Sequence, residues 1–184
     1  DGYSHKTMGR SEAQGLIAAQ AAYIKASNEL IEVQGYLGVG PRAVGVQWLY
    51  TIEGANIAGM QSILAFPRDA VEEDTEGDFD AAFRVVYTPN FFPDVVGGQR
   101  ILADLDNRVT YIMGPDYFGE SKKAALRMLC ASAYADGGLV LHAGAKEVIL
   151  PNARLTVAIL GLSGTGKTTT TFSKQGEHVK PVQD

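Results

Sequence analysis

The spacing of apolar residues changes along the chain, and each change predicts a different element. Ser11 and Gln14 form a capping box ahead of apolar residues at helical spacing, so we expect a helix over residues 12–27. A second helix is expected over residues 54–64, ending before Pro67. Runs rich in β-branched and aromatic residues predict four short strands. These runs cover residues 30–36, 44–50, 84–87 and 109–113.

The second half of the sequence carries one long helical pattern followed by short β runs. Between the last two strands named above, prolines and glycines over residues 89–98 predict an irregular connection. Helical spacing then begins after Ser121 and stops near Asp136, where Gly137 and Gly138 mark a boundary. Three β runs follow, the last two joined by a turn at Pro151 and Asn152. They cover residues 139–142, 148–150 and 155–160.

The order of these elements predicts an α/β fold in two parts. We expect a mixed α+β N-terminal domain over residues 1–137 and the beginning of a second, incomplete domain over residues 138–184. Apolar residues make up 46% of the 184 residues, which is enough to build a packed core.

Charge and cysteine usage narrow the class of protein. The chain has 16 basic and 21 acidic residues, and a net charge of −5 argues against nucleic acid or an anionic membrane as a partner. Cys130 is the one cysteine, so a disulfide within the chain is excluded and a reducing, cytoplasmic location is favoured. No apolar run reaches the ~18 residues of a membrane span, and no signal-peptide core opens the sequence. Because an initiating Met is absent, we expect the N-terminus to lie upstream.

The strongest chemical signal is a glycine-rich segment near the C-terminus. Its residues, Gly161-Leu-Ser-Gly-Thr-Gly-Lys167-Thr168, satisfy the P-loop pattern. We expect residues 155–160 to form a buried strand before it and residues 168–172 to begin a helix after it. The glycines would let backbone N–H groups approach phosphate oxygens, Lys167 would supply charge to the β and γ phosphates, and Thr168 would offer a hydroxyl to Mg²⁺.

Two other segments have a plainer interpretation. Glycines over residues 35–40 precede a strand rather than a helix, which does not fit a dinucleotide-binding loop. Six of the acidic residues lie over residues 72–80, and their spacing favours a solvated loop over an EF-hand calcium loop.

A second chemical signal is the segment Tyr117-Phe-Gly-Glu-Ser-Lys122-Lys123. If Ser121 caps the following helix, both lysines fall in its first turn, where the helix dipole disfavours cations. The dipole and the neighbouring cation would favour a neutral amine, so one lysine is a candidate metal ligand or base, with two solvated surface lysines as the ordinary alternative. His142 is a third signal, either a metal ligand or a hydrogen-bonded core histidine.

Taken together, these motifs resemble the ATP-dependent phosphoenolpyruvate carboxykinase family. The loop, read on to Thr169, is similar to that family's distinctive phosphate loop, and Tyr117-x-Gly119-Glu120-x-Lys122-Lys123 is similar to its substrate and metal segment. His142 follows Lys123 at a separation similar to the family's. The resemblance is clear over residues 84–184 and weaker over residues 30–68.

The resemblance implies a gluconeogenic enzyme that converts oxaloacetate and ATP to phosphoenolpyruvate, CO₂ and ADP with Mg²⁺ and Mn²⁺. It implies a catalytic set of Lys122, Lys123, Ser163 and Lys167. It implies nucleotide contacts from Gly161, Leu162, Ser163, Gly164, Thr165, Gly166, Lys167, Thr168 and Thr169. It implies substrate contacts from Arg10, Tyr117 and Lys123. It implies metal donors at Lys123, His142, Thr168 and Asp184.

Two alternatives stay open from the residues alone. Another P-loop phosphotransferase, such as a small-molecule or protein kinase, would need Lys167 and Thr168 but not Lys123 and His142 as metal ligands. A nucleotide-binding module without turnover would also keep the loop. The resemblance further implies that the remainder of the C-terminal domain is needed to complete the site.

Overall fold

The computed structural model describes residues 7–27, 29–94, 98–162 and 164–183, and the chain divides after Asp136 into two compact units. Helices and strands combine in both parallel and antiparallel sheet pairings, which confirms the α/β class. The elements are α1 (Arg10–Ala26), β1 (Leu30–Leu37), β2 (Val44–Thr51), α2 (Ala55–Leu64), β3 (Phe83–Pro89), β4 (Arg100–Asp104), β5 (Val109–Gly114), α3 (Phe118–Ala135), β6 (Gly144–Leu150), β7 (Ala153–Ile159), α4 (Lys167–Phe172) and β8 (Val179–Gln183).

The first unit is built on a five-stranded sheet with the order β1-β2-β3-β5-β4. The central strands β2, β3 and β5 run parallel, while β1 and β4 pair antiparallel at the two edges. Parallel neighbours need a crossover connection, and α2 supplies it between β2 and β3. The sheet therefore brings the carboxyl ends of β3 and β5 to the same edge.

The main core lies on the sheet face that α2 and α3 cover. Trp48 and Tyr50 on β2 alternate with outward residues, and the register sets them beside Val85 and Tyr87 on β3. All four are almost completely buried. The small residue Ala124 on α3 is buried against the same cluster. Alternation along the strands thus decides which side chains enter the core.

Helix α1 packs on the opposite face, where Leu49, Val86 and Tyr111 line a groove beside it. Gln20 of α1 is buried, and its amide donates to the carbonyl oxygens of Val86 and Ile112 at 3.3 and 3.0 Å. Satisfying strand carbonyls in this way ties α1 to β3 and β5.

The second unit is a three-stranded antiparallel sheet with the order β7-β6-β8, together with α4. Leu150 and Ala153 are register partners, which confirms the predicted turn at Pro151 and Asn152. Each helix in the described part of the chain is too short or too polar to span a membrane.

Three sequence predictions about these elements are wrong. Helix α1 begins at Arg10 with Gly9 in the capping position, and no side chain caps it, because Ser11 already lies inside the first turn. Residues 139–142 form no strand, since sheet pairing of this segment begins only at Gly144. Strand β7 is exposed rather than buried, because among the described strands it lies at an edge of its sheet and pairs only with β6.

Candidate functional site

Helix α3 carries the lysine segment, and it begins four residues earlier than the sequence suggests. Its first residue is Phe118 and Tyr117 stands in the capping position. Ser121 is therefore not a cap, and its side chain points into the protein instead, where it is fully buried. The prediction that Ser121 starts this helix is wrong.

The Ser121 hydroxyl is the centre of a buried hydrogen-bonded network. It lies 2.6 Å from the Tyr50 hydroxyl and donates to Gln61 Oε1 at 2.9 Å. Burial raises the pKa of Tyr50 far above its usual range, so this hydroxyl stays protonated. The network joins β2, α2 and α3, and it fixes the rotation of the first turns of α3 because a buried polar group must keep its partners.

A second tyrosine holds the chain between β5 and α3. The Tyr87 hydroxyl lies 3.0 Å from the carbonyl oxygens of both Pro115 and Tyr117, and it accepts from the Tyr117 N–H at 3.4 Å. Burial raises the pKa of Tyr87 to about 12, so the hydroxyl remains a donor at neutral pH. Gly114 lets the chain turn here, with a φ of 99° that other residues rarely adopt.

The side chain of Tyr117 itself is directed outward and is 59% exposed. Its ring lies over Gly119, where a Cβ would meet the ring carbons and, at 2.6 Å, the hydroxyl oxygen. The Tyr-x-Gly spacing therefore has a local structural reason. Glycine at this position leaves room for the Tyr117 ring at the start of α3.

Lys122 and Lys123 follow in the second turn of α3, and both are exposed. Because the helix begins at Phe118, the argument that they lie in its first turn, close to the positive end of the dipole, is wrong. Glu120 pairs with Arg127 at 2.6 Å on the same helix. The two lysines thus present their ammonium groups to solvent on the helix that carries Tyr117.

Arg10 is placed away from this segment. It lies in the first turn of α1, is exposed, and pairs at 3.6 Å with Asp106, which precedes β5. Tyr117 follows the other end of β5, and the five steps from Val109 to Gly114 alone span about 17 Å at ~3.3 Å per residue. The structure therefore does not bring Arg10 and Tyr117 to one pocket, and we leave Arg10 out of the substrate site.

In the second unit, the glycine-rich loop (residues 160–166) joins β7 to α4. Gly164 and Gly166 have φ values of 79° and 85°, in the left-handed region where glycine carries no steric cost. The Thr165 hydroxyl donates to the Leu162 carbonyl at 2.7 Å, which narrows the loop. The strand, loop and helix follow in the order that the sequence predicts, with α4 beginning at Lys167.

Lys167 reaches back over the glycine-rich loop. Its Nζ donates to the carbonyl oxygens of Gly161 and Leu162 at 2.9 and 3.0 Å. An ammonium group has three donors, so these two contacts hold the side chain over the loop without using its full capacity. Thr168 and Thr169 follow in the first turn of α4, and both are exposed.

The remaining predicted metal donors are partly outside the described residues. His142 is exposed in the segment before β6, in the same unit as Thr168, whereas Lys123 belongs to the first unit. Asp184 and Ser163 are outside the described residues. Among the described residues, no group of three or more His, Cys, Asp or Glu side chains converges on a point. The hydroxyl of Thr168 is a donor type that suits Mg²⁺ or Mn²⁺, whereas imidazole and amine nitrogens suit a transition-metal ion such as Mn²⁺ better than Mg²⁺, which prefers oxygen ligands.

The acidic run over residues 72–80 is fixed at its first residue, Glu72, by side-chain contacts. Arg68 makes a bidentate contact with Glu72, with the shortest distance 2.7 Å, and the Tyr36 hydroxyl donates to the same carboxylate at 2.6 Å. The Arg68 hydrogen bonds, and then that of Tyr36, hold the pKa of Glu72 below its usual range. The other acidic side chains of the run are exposed.

The sequence does not reveal the buried residues that hydrogen-bond to the start of α3. Tyr50, Gln61 and Tyr87 were assigned only to strands and a helix, although each contacts the start of α3 from far away in sequence. The one available signal was a polar group at an inward position of an apolar pattern, which a buried hydrogen bond often explains.

The fold and these two segments define an α/β protein with a glycine-rich loop between a strand and a helix. Over residues 2–180 the chain matches the family model described as phosphoenolpyruvate carboxykinase. The chain therefore belongs to the ATP-dependent phosphoenolpyruvate carboxykinase family.

Individual relatives carry the same description at modest identity. The phosphoenolpyruvate carboxykinase (ATP) of Geobacillus thermodenitrificans is 31% identical over 153 residues, which is 80% of this chain and 28% of that protein. The Aeropyrum pernix protein of the same name is 37% identical over 93 residues, or 46% of this chain and 19% of that protein. The chain thus spans less than a third of the length of these curated relatives.

Proposed function

We propose that this chain is part of an enzyme that converts oxaloacetate and ATP to phosphoenolpyruvate, CO₂ and ADP. The observation that carries the proposal is the position of Lys167, whose ammonium group lies over the glycine-rich loop of a chain that belongs to this family. Loops of this kind bind phosphates through backbone N–H groups and a lysine. The γ-phosphate of ATP would replace Gly161 and Leu162 as the partner of Lys167.

The reaction has two chemical parts, and the chain supplies residues for both. Oxaloacetate loses CO₂, and the electron pair of the broken C–C bond forms an enolate. The enolate oxygen then attacks the γ-phosphorus, ADP leaves, and Lys167 stabilises the charge on the transferred phosphoryl group. Ser163, Lys122 and Lys123 are proposed as further catalytic residues, with Tyr117 and Lys123 oriented toward oxaloacetate.

A divalent cation, Mg²⁺ or Mn²⁺, would supply Lewis-acid stabilisation of negative charge when bound. We propose Lys123, His142, Thr168 and Asp184 as its donors. Lys123 can serve only as a neutral amine, because an ammonium group has no lone pair to give. The phosphate contacts proposed from Gly161 to Thr169 hold the nucleotide beside that cation.

We propose that the remainder of the C-terminal domain completes the nucleotide and metal sites. We propose a cytoplasmic enzyme whose partners are small molecules rather than nucleic acid or membrane. The net charge of −5 supports that choice.

Product analysis of the full-length enzyme, the complete protein that contains this chain, tests the proposal. With oxaloacetate, ATP and Mn²⁺, we expect equal amounts of ADP, phosphoenolpyruvate and CO₂. A kinase of another kind would form ADP without releasing CO₂ from oxaloacetate, and a binding module would form no ADP. Either of those results would contradict the proposal.

A further inference from the structure

Helix α4, which begins with Lys167, rests on two residues of β6. Gly144 and Lys146 are two positions apart on that strand, so both face the same side of the sheet, and both are buried. Each contacts a different part of α4 or of the residues that follow it. We call this pair the β6 seat.

Gly144 has no side chain, and this leaves room for the side chain of Thr171. A Cβ at position 144 would collide with the Thr171 hydroxyl oxygen, and Thr171 is fully buried. The same hydroxyl donates to the Lys167 carbonyl at 2.9 Å. Thr171 therefore connects the β6 seat directly to the backbone of Lys167.

Lys146 contacts the residues that follow the same C-terminal end of the helix. It is 3% exposed, and its Nζ donates to the Ser173 carbonyl at 2.9 Å and to Gln175 Oε1 at 3.0 Å. Ser173 caps the C-terminus of α4, where carbonyl groups carry partial negative charge that a cation stabilises. A buried ammonium group in these contacts restricts where α4 can lie, because losing them would leave the charge without partners.

We infer that Gly144 and Lys146 are positioning residues for nucleotide binding, acting through α4 on Lys167. This inference rests on the proposed function, since it assumes that Lys167 binds ATP phosphates. Displacing a phosphate-binding group by about 1 Å can cost a large factor in rate or affinity, so a fixed seat for α4 has a functional consequence as well as a structural one.

The test measures KM for ATP and KM for oxaloacetate separately in full-length Lys146→Met, which keeps the stem length but removes the ammonium group. We expect KM for ATP to rise about tenfold and KM for oxaloacetate to stay within about twofold. Lys180→Met, at an exposed lysine on neighbouring β8, is the matched control and should change neither value.

Three outcomes would overturn the inference. The first is a folded Lys146→Met enzyme in which KM for ATP and KM for oxaloacetate both stay within twofold of wild type. The second is an equal rise in both KM values together with a lowered Tm, which is the result that a merely structural role predicts. If Lys146→Met does not fold, the deciding variant is Gln175→Ala, which changes the exposed hydrogen-bond partner of Lys146. We expect this variant to raise KM for ATP about threefold. No rise would overturn the inference.

Lys167→Ala separates this inference from the proposed function. If Lys167→Ala impairs ATP use and Lys146→Met does not, only the role of the β6 seat fails. If Lys167→Ala leaves ATP use unchanged, the proposed function fails and the inference fails with it.

Discussion

The ring of Tyr117 lies against the α-carbon of Gly119, with its hydroxyl oxygen 2.6 Å from where a Cβ would stand. A side chain at position 119 and the present position of the ring cannot coexist. Since Tyr117 is largely exposed, its ring can move away without disturbing the core. A side chain at position 119 should therefore change the orientation of the Tyr117 ring without lowering the stability of the fold.

Gly119→Ala should therefore change substrate binding more than stability. Alanine is favoured over glycine in helices by ~1 kcal/mol, so the Tm should not fall, while the displaced Tyr117 ring should raise KM for oxaloacetate about tenfold. Gly59→Ala in α2 is the matched control, because a Cβ there meets nothing within 4 Å. Equal KM values in the two variants would show that the Tyr117 ring has no role in binding.

Tyr87→Phe tests whether the Tyr87 hydroxyl stabilises the backbone that leads into Tyr117. Removing the hydroxyl leaves the buried Pro115 carbonyl without this partner, so unfolding in urea should show a loss of ~1–3 kcal/mol. Tyr111→Phe is the control, because the Tyr111 hydroxyl makes no hydrogen bond to the part of the chain that the structure describes, and it should change stability by less than ~0.5 kcal/mol. A Tyr87→Phe protein as stable as that control would contradict the assigned contacts.

The start of α3 shows where sequence reasoning succeeds and where it stops. The helical pattern over Ala124, Ala125 and Met128 could be read locally, because side chains three and four residues apart share a face. The local pattern predicts Ser121 as a cap, and this is wrong because the true partners of Ser121, Tyr50 and Gln61, are 71 and 60 residues away in sequence. Local propensity cannot reveal a bond of that kind.

Short edge strands are not predicted from the sequence for a related reason. The sequence pattern predicts no element over β4, since Arg100–Asp104 carries only a brief apolar run and becomes a strand by pairing with β5. β8 was missed in the same way, through its pairing with β6. In contrast, the glycine-rich loop was located correctly, because its neighbours in sequence are also its neighbours in space.

Glu72 should make stability depend on pH in acid. Its pKa is lowered in the folded protein, first by Arg68 and then by Tyr36, so its contribution is present at neutral pH and is lost as the pH falls below about 4.5. Urea unfolding of Glu72→Gln should show a deficit against wild type at pH 7 that shrinks toward pH 3. Glu73→Gln, at the exposed neighbour, should show no deficit. A Glu72→Gln deficit that stays constant with pH would contradict this assignment.

The proposed metal donors lead to a binding prediction. His142→Ala in the full-length enzyme should weaken Mn²⁺ binding at least about tenfold, since loss of an imidazole ligand removes a direct bond to the ion. Electron paramagnetic resonance of free Mn²⁺ during titration measures this without turnover. His178→Ala changes an exposed histidine of the same unit and should leave binding unchanged. Equal affinities for both variants would remove His142 from the donor set.

The most direct measurement follows the γ-phosphate itself. Full-length enzyme is given oxaloacetate and ATP labelled at the γ-phosphorus, and label in phosphoenolpyruvate is counted for wild type, Lys167→Ala and Lys174→Ala. Lys174 is exposed and pairs only with Glu177 within the described residues, so it serves as the control. We predict label transfer by wild type and Lys174→Ala and a fall in kcat of ~10²-fold or more for Lys167→Ala, the scale expected when a preorganised charge is removed. Undiminished transfer by Lys167→Ala at saturating ATP, or no label in phosphoenolpyruvate from wild type, would contradict the account.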